Sequence, residues 1–143
     1  IKQTASAKGA RLFGLETMQE QLGIFQKMDE AQQLLLLKDT LSHLDEVSEM
    51  NRQLLAAYRA GDLATIAAEG MRGMKEISDA DLRTYLEREL ITARNHRMAQ
   101  NMAPEFAQGP ALVAVGALHL PGPDGVLHLL EQQGYYLFAI SPR

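Results

Sequence analysis

The run Gly116-Ala-Leu-His-Leu-Pro-Gly-Pro-Asp-Gly constrains this chain more than any other stretch, because neither a helix nor a central strand tolerates such a density of Gly and Pro. The backbone has to turn there. Just upstream, Ala111 to Val115 is short, continuous, apolar and partly β-branched. That is the pattern of a strand buried on both faces, although periodicity alone does not separate it from a buried helix segment. Downstream, Asp124 to Gln133 reads as a helix ended by Gly134, and Tyr135 to Ile140 as a closing strand. A strand, loop, helix and strand in that order form a crossover unit, with parallel strands and a right-handed connection. His119 then falls just past the first strand's carboxyl end, the edge of a helix-covered sheet where ligands bind.

A chain of 143 residues is long enough for one domain with its own core. The formal net charge of −4, without a run of Lys and Arg, gives no basic surface for a phosphate backbone and argues against nucleic acid as a partner. The absence of cysteine removes disulfides, thiolate metal sites and cysteine nucleophiles, without identifying a compartment. The longest apolar run, Ala111 to Leu118, is far below the roughly 20 residues that span a bilayer. Ile1 is neither an initiator Met nor the start of a signal-like segment, so the expectation is a fragment whose true amino terminus lies elsewhere.

Taken in order, Ile1 to Ala10 is small and polar, a tail or linker. Arg11 to Leu15 reads as a short strand, which gives an expected sheet of about three strands, partly parallel, in a mostly helical α/β fragment. A helix with Leu22, Phe25 and Met28 on one face follows, and Asp29 starts another. Leu34, Leu37, Leu41 and Leu44 recur three and four apart and are assigned to core packing, with a break near Asp45; Val47, Leu54, Leu55 and Tyr58 roughly continue the stripe. Gly61 and Asp62 separate this helix from one carrying Leu63, Ile66, Ala67, Met71 and Met74 inside. Ser78 and Asp79 then cap a long helix from about Asp81 to Gln108, with Leu82, Tyr85, Leu86, Ile91, Met98 and Met102 inward.

Four side chains hold chemical interest. Glu16 sits at the exit of the first strand; the plain reading is that Glu16 or Thr17 caps the next helix, the sharper one that Glu16 is a catalytic or metal-binding carboxylate. Arg94, with Asn95 beside it, shares a helix face with inward Met98. It reads either as a salt bridge near Glu87 and Glu89 or a snorkelling stem, or as a guanidinium clamp for an anion. His119, in the loop with Gly116, Pro121 and Gly122, is either a satisfied structural histidine or a ligand-facing one. His43, His96 and His128 lie among polar neighbours on expected helices and read as surface residues. No His-Glu-x-x-His, P-loop, Gly-x-Gly-x-x-Gly or Gly-x-Ser-x-Gly motif occurs.

The segments Leu12-Phe-Gly-Leu-Glu-Thr-Met-Gln-Glu-Gln-Leu, Ala93-Arg-Asn-His-Arg-Met-Ala and Val113-Ala-Val-Gly-Ala-Leu-His-Leu-Pro-Gly, followed by Gly134-Tyr, resemble in order and spacing the TraB/GumN family, which includes the Tiki-type metalloproteases. The resemblance implies a metal-dependent, peptidase-like hydrolase in which two Gly-x-x-His motifs, a Glu and an Arg meet at one sheet edge. It assigns catalytic roles to Glu16, Arg94 and Asn95, metal binding to His119 and Glu16, and a supporting loop to Gly116, Pro121 and Gly122. The family's first Gly-x-x-His would lie upstream of Ile1, so residues 1–143 are expected to be the carboxy-terminal part of a larger domain. The resemblance further implies that they hold an incomplete site for a divalent ion and are inactive alone. A peptide or protein substrate, a homodimer, and an exported, periplasmic or membrane-associated location are the corresponding expectations. The competing class is a non-enzymatic module binding a peptide or protein through its leucine or methionine faces.

Overall fold

The structure, a computed structural model, describes residues 2–140; Ile1, part of the expected tail, lies outside them. Among the described residues eight α-helices run in chain order: α1 Lys2–Ala7, α2 Met18–Gln26, α3 Glu30–Ser42, α4 Val47–Ala60, α5 Leu63–Lys75, α6 Ala80–Glu87, α7 Ala93–Phe106 and α8 Val126–Gln132. Short 3-10 turns, Leu44–Glu46 and Ala117–His119, precede α4 and follow the apolar run. No helix among the described residues is long and apolar enough to cross a membrane.

Local chemistry accounts for the helix starts. Thr17 and Asp29 each accept from the main-chain N–H three residues on, at Glu20 and Gln32, whose side chains accept in return from the cap's own N–H. Each such box satisfies two donors that a bare helix terminus would leave unpaired. Asp62 and Asp79 cap α5 and α6 by the forward bond alone. Gly61, at φ 71°, closes α4 in the left-handed conformation that a side chain would strain.

The core has two centres joined by one long helical rod. Met28, Ile77, Leu82 and Leu86 form the first, with Leu35, Leu36, Met74, Tyr85 and Leu90 around them; Tyr85 also donates its hydroxyl to the Ile24 carbonyl at 2.7 Å. Met98, Met102, Val126 and Leu130 form the second, flanked by Leu15, Phe106, Val113, Val115 and Tyr135. Between α6 and α7 the rod passes through a π turn, Arg88–Thr92, in which the Ala93 N–H reaches back to the Arg88 carbonyl. That turn inserts one residue into the helical phase. A strict 3.6-residue count from buried Leu82 and Leu86 would bring 93 and 97 inward. The buried positions are instead Asn95, Met98, Ala99 and Met102.

Two expectations are overturned. No strand and no sheet occurs among the described residues, so the small three-strand sheet, its parallel crossover and the α/β assignment do not hold: the described chain is helical. Arg11–Leu15, Ala111–Val115 and Tyr135–Ile140 are irregular, with no main-chain hydrogen bonds between them among the described residues. A strand exists only through pairing, and here the apolar run is explained by helix packing. Val113 and Val115 are partly buried on the α7–α8 centre, while Leu112 and Ala114 face away. The leucine stripe is the second correction: Leu34, Leu37, Leu41 and Leu44 are 49–55% exposed, and α3 packs through Leu35 and Leu36.

Candidate functional site

The segment around Glu16 ends where α2 begins, and α7 supplies its partner. Arg94 donates from Nε to both Glu16 carboxylate oxygens, at 2.9 and 3.1 Å, and from Nη2 to Oε2 at 2.8 Å. The Glu16 side chain is 4% exposed and that of Arg94 19%. Gln21 donates to Glu16 Oε2 at 3.4 Å, and Arg97 Nη2 stands 3.7 Å from Oε1. Thr17 performs the capping, leaving Glu16 free for Arg94. Burial works against ionisation of Glu16, but the hydrogen bonds and charge of Arg94, aided by Gln21 and Arg97, outweigh it and hold the carboxyl below its ordinary pKa.

One residue along α7, Asn95 is fully buried. Its Nδ2 donates to the Asp124 carbonyl at 2.7 Å, and its Oδ1 lies 2.7 Å from Nδ1 of His119. The Gly-Pro loop is thereby bolted to the helix at two points. Burial lowers the pKa of His119, as does the charge of Arg94, while the Glu16 carboxylate opposes both. His119 Nε2 has no hydrogen-bond partner among the described residues.

The loop glycines act differently from expectation. Gly116 has ordinary extended angles, and a Cβ there would stand 3.5 Å from the His119 ring, a normal contact. Gly122, at φ 92°, does need its freedom. The tightest position is Gly125, absent from the candidate set, where a Cβ would come within 2.3 Å of the Pro121 carbonyl oxygen and 2.4 Å of that of Leu120. Gly125 also begins a second Gly-x-x-His, ending at His128. That imidazole projects from α8 into solvent beside Gln132 and Glu131.

Glu16, Arg94, Gly116 and His119 line one cleft of about 900 Å³, walled by Arg11–Leu15, Met98, Met102 and residues 108–115. Asn95 lies behind it, holding His119. Pro121 and Gly122 are in the supporting turn and do not line the cleft. Arg97, which sequence reasoning passed over, lies near Glu16, and its buried Nε stands 3.8 Å from Glu20 Oε1 without a hydrogen bond among the described residues. Its signal was its spacing, three residues after Arg94.

The arrangement has one imidazole nitrogen free to take a proton or act as a ligand, beside a carboxylate locked to a guanidinium. It does not fit a divalent ion by itself. No three His, Asp or Glu side chains converge as a metal site among the described residues, and Arg94 occupies both Glu16 oxygens. A catalytic ion asks for about three protein ligands and an open position.

Comparison with known proteins gives one family and two relatives. The TraB/PrgY/gumN family matches residues 1–137. Metalloprotease TIKI1 of Danio rerio is 25% identical over 156 aligned positions, covering 94% of this chain and 32% of that protein. Metalloprotease TIKI2 of Danio rerio is 26% identical over 165 positions, covering all of this chain and 32% of that protein. The chain thus spans about a third of the length of the curated relatives it matches. No solved structure matches it.

Proposed function

The chain belongs to the TraB/PrgY/gumN family, and on that premise we propose that it forms the imidazole-bearing part of a hydrolytic site acting on peptides. One observation carries the reading: Glu16, Arg94 and His119, remote in sequence, meet on one cleft. In this reading His119 offers its Nε2 lone pair to the site, where it would serve as a ligand for a divalent ion in the protein at full natural length. The Glu16–Arg94 pair shapes the cleft wall and keeps a fixed dipole beside the reacting groups. Arg94 is then an anchor for Glu16 more than a free anion clamp, since the carboxylate occupies its Nε and Nη2 edge.

Metal use in the protein at its full natural length is part of the proposal, supported by the metalloprotease names of both relatives. His119 is the side chain of this chain suited to it, and the other ligands would come from outside residues 1–143. The experiment compares residues 1–143 with the protein at full natural length, using fluorogenic peptides and calorimetric titration with Zn²⁺ and Mn²⁺. Weak ion binding and no turnover are expected for residues 1–143, with metal-stimulated turnover at full length. Equal turnover by both would refute the incomplete site, and none at full length, with ions supplied, would refute the hydrolase.

A second reading, a module that binds a peptide or protein without cleaving it, is favoured by the exposed leucines of α3. Leu34, Leu37 and Leu41 along one face of α3, with Leu44 in the turn that follows, exceed the scattered apolar exposure that needs no explanation.

A further inference from the structure

A buried Asn between a carbonyl and an imidazole fixes more than position. The side-chain amide has one acceptor end and one donor end, and a main-chain carbonyl only accepts. The Asp124 carbonyl, 2.7 Å from the Asn95 amide, therefore requires the NH₂ end. The flipped amide would set two acceptors against each other at that distance, with no solvent access to relieve them, because Asn95 is 0% exposed. With the NH₂ end committed, the oxygen faces His119 Nδ1 at 2.7 Å. An oxygen that close to a bare ring nitrogen would bring lone pairs together, so Nδ1 carries the hydrogen and donates it.

We infer that Asn95 is a positioning residue that holds neutral His119 in its Nδ1–H tautomer, leaving Nε2 as the single lone pair available to the cleft. The chain of constraint begins at the Pro121–Gly125 turn. The Gly125 N–H bonds back to the Gly122 carbonyl at 3.0 Å, closing the turn that aims the Asp124 carbonyl at α7. The π turn before α7 then sets the phase that brings residue 95 inward. A loop, a turn and a helix phase thus specify one hydrogen atom. An unconstrained imidazole in water prefers the opposite tautomer, with the hydrogen on Nε2. A histidine that donates from one nitrogen to a fixed acceptor presents the other as a better-defined base or ligand.

The use of that lone pair in hydrolysis rests on the function proposed above; the tautomer does not. Long-range ¹H–¹⁵N correlation of ¹⁵N-histidine-labelled protein, at about pH 8 where an ordinary imidazole is neutral, reads the tautomer directly. His119 should show a pyrrole-type Nδ1 and a pyridine-type Nε2. In Asn95→Leu, which keeps the bulk and removes the acceptor, the two shifts should move toward the Nε2–H pattern while the other histidines stay put. An Nε2–H pattern in the unsubstituted protein overturns the inference without reference to any variant, as does an unchanged Nδ1–H pattern in folded Asn95→Leu. A protein without turnover that shows the Nδ1–H pattern supports this inference and counts only against the proposed hydrolysis.

Discussion

Glu16 and Arg94 stand 78 positions apart in sequence and share three N–H···O contacts of 2.8–3.1 Å, with the carboxylate almost wholly out of solvent. Removing one member of a buried pair strands the other and costs about 3–5 kcal/mol, far more than the intact pair adds over an apolar replacement. Arg94→Ala and Glu16→Ala should each lower stability on that scale, and the double substitution should cost well under their sum. A denaturant double-mutant cycle measures this. Coupling above about 1 kcal/mol is expected, and additive costs would mean that the contacts are not made in solution.

Acid should weaken the fold in two stages. His119 has a depressed pKa when folded, so below the ordinary imidazole range the unfolded chain takes up a proton that the folded one resists. The stability is present above the unfolded pKa and declines as pH falls toward the folded value. Glu16 is also depressed, so its contribution is present above the ordinary carboxyl range and is lost as pH falls through its folded pKa. Unfolding free energy followed from pH 8 to pH 3 should fall in both windows, and Glu16→Gln should flatten the lower one. A lower window unchanged in Glu16→Gln would remove Glu16 as its source.

Gly125→Ala should be disproportionately harmful for so small a change. Its Cβ meets two carbonyl oxygens of the backbone, which no side-chain rotation relieves. A loss of about 1–3 kcal/mol is expected, as for overpacking elsewhere, together with a weakened hold on the Asp124 carbonyl. A thermal melt within 1 °C of the parent would show that the turn is loose.

The two sides of α3 should respond in opposite ways. Leu82→Ala, in the buried cluster against which α3 packs, should cost about 2–5 kcal/mol. Leu37→Glu with Leu41→Glu should be close to neutral, because both leucines are half exposed. Peptide binding lost in that double variant with the fold intact favours the binding module; binding retained removes the leucine face as the docking surface.

What could be read from the sequence was mostly local. The Thr17, Asp29, Asp62 and Asp79 caps follow from residue type and spacing, and the Gly-Pro turn follows from two residues that cannot continue a helix. Gln-Gln-Leu-Leu-Leu-Leu-Lys, by contrast, has four consecutive apolar residues that turn around the helix, so the inward face of α3 was decided by the cluster of Met28, Ile77, Leu82 and Leu86 and not by the leucine spacing. The π turn was invisible because it leaves composition untouched and shifts only the phase. Glu16 and Arg94 were each marked, but their union is tertiary; nothing local says which carboxylate a guanidinium will choose. The expected sheet failed because apolar, β-branched residues suit any partly buried surface, and at Val113 and Val115 that surface is helical.

If the cleft, and not the Gly-x-x-His spacing, confers function, this chain contains its own control. His119 and His128 each follow a Gly by three positions, yet only His119 lines the cleft. The decisive measurement is peptide turnover by the protein at full natural length carrying His119→Ala or His128→Ala. At least a hundredfold loss is expected for the first, on the scale of removing a group that takes part in the chemistry, and about unchanged turnover for the second. Equal effects from the two substitutions, or undiminished turnover in His119→Ala, would contradict that role of the cleft.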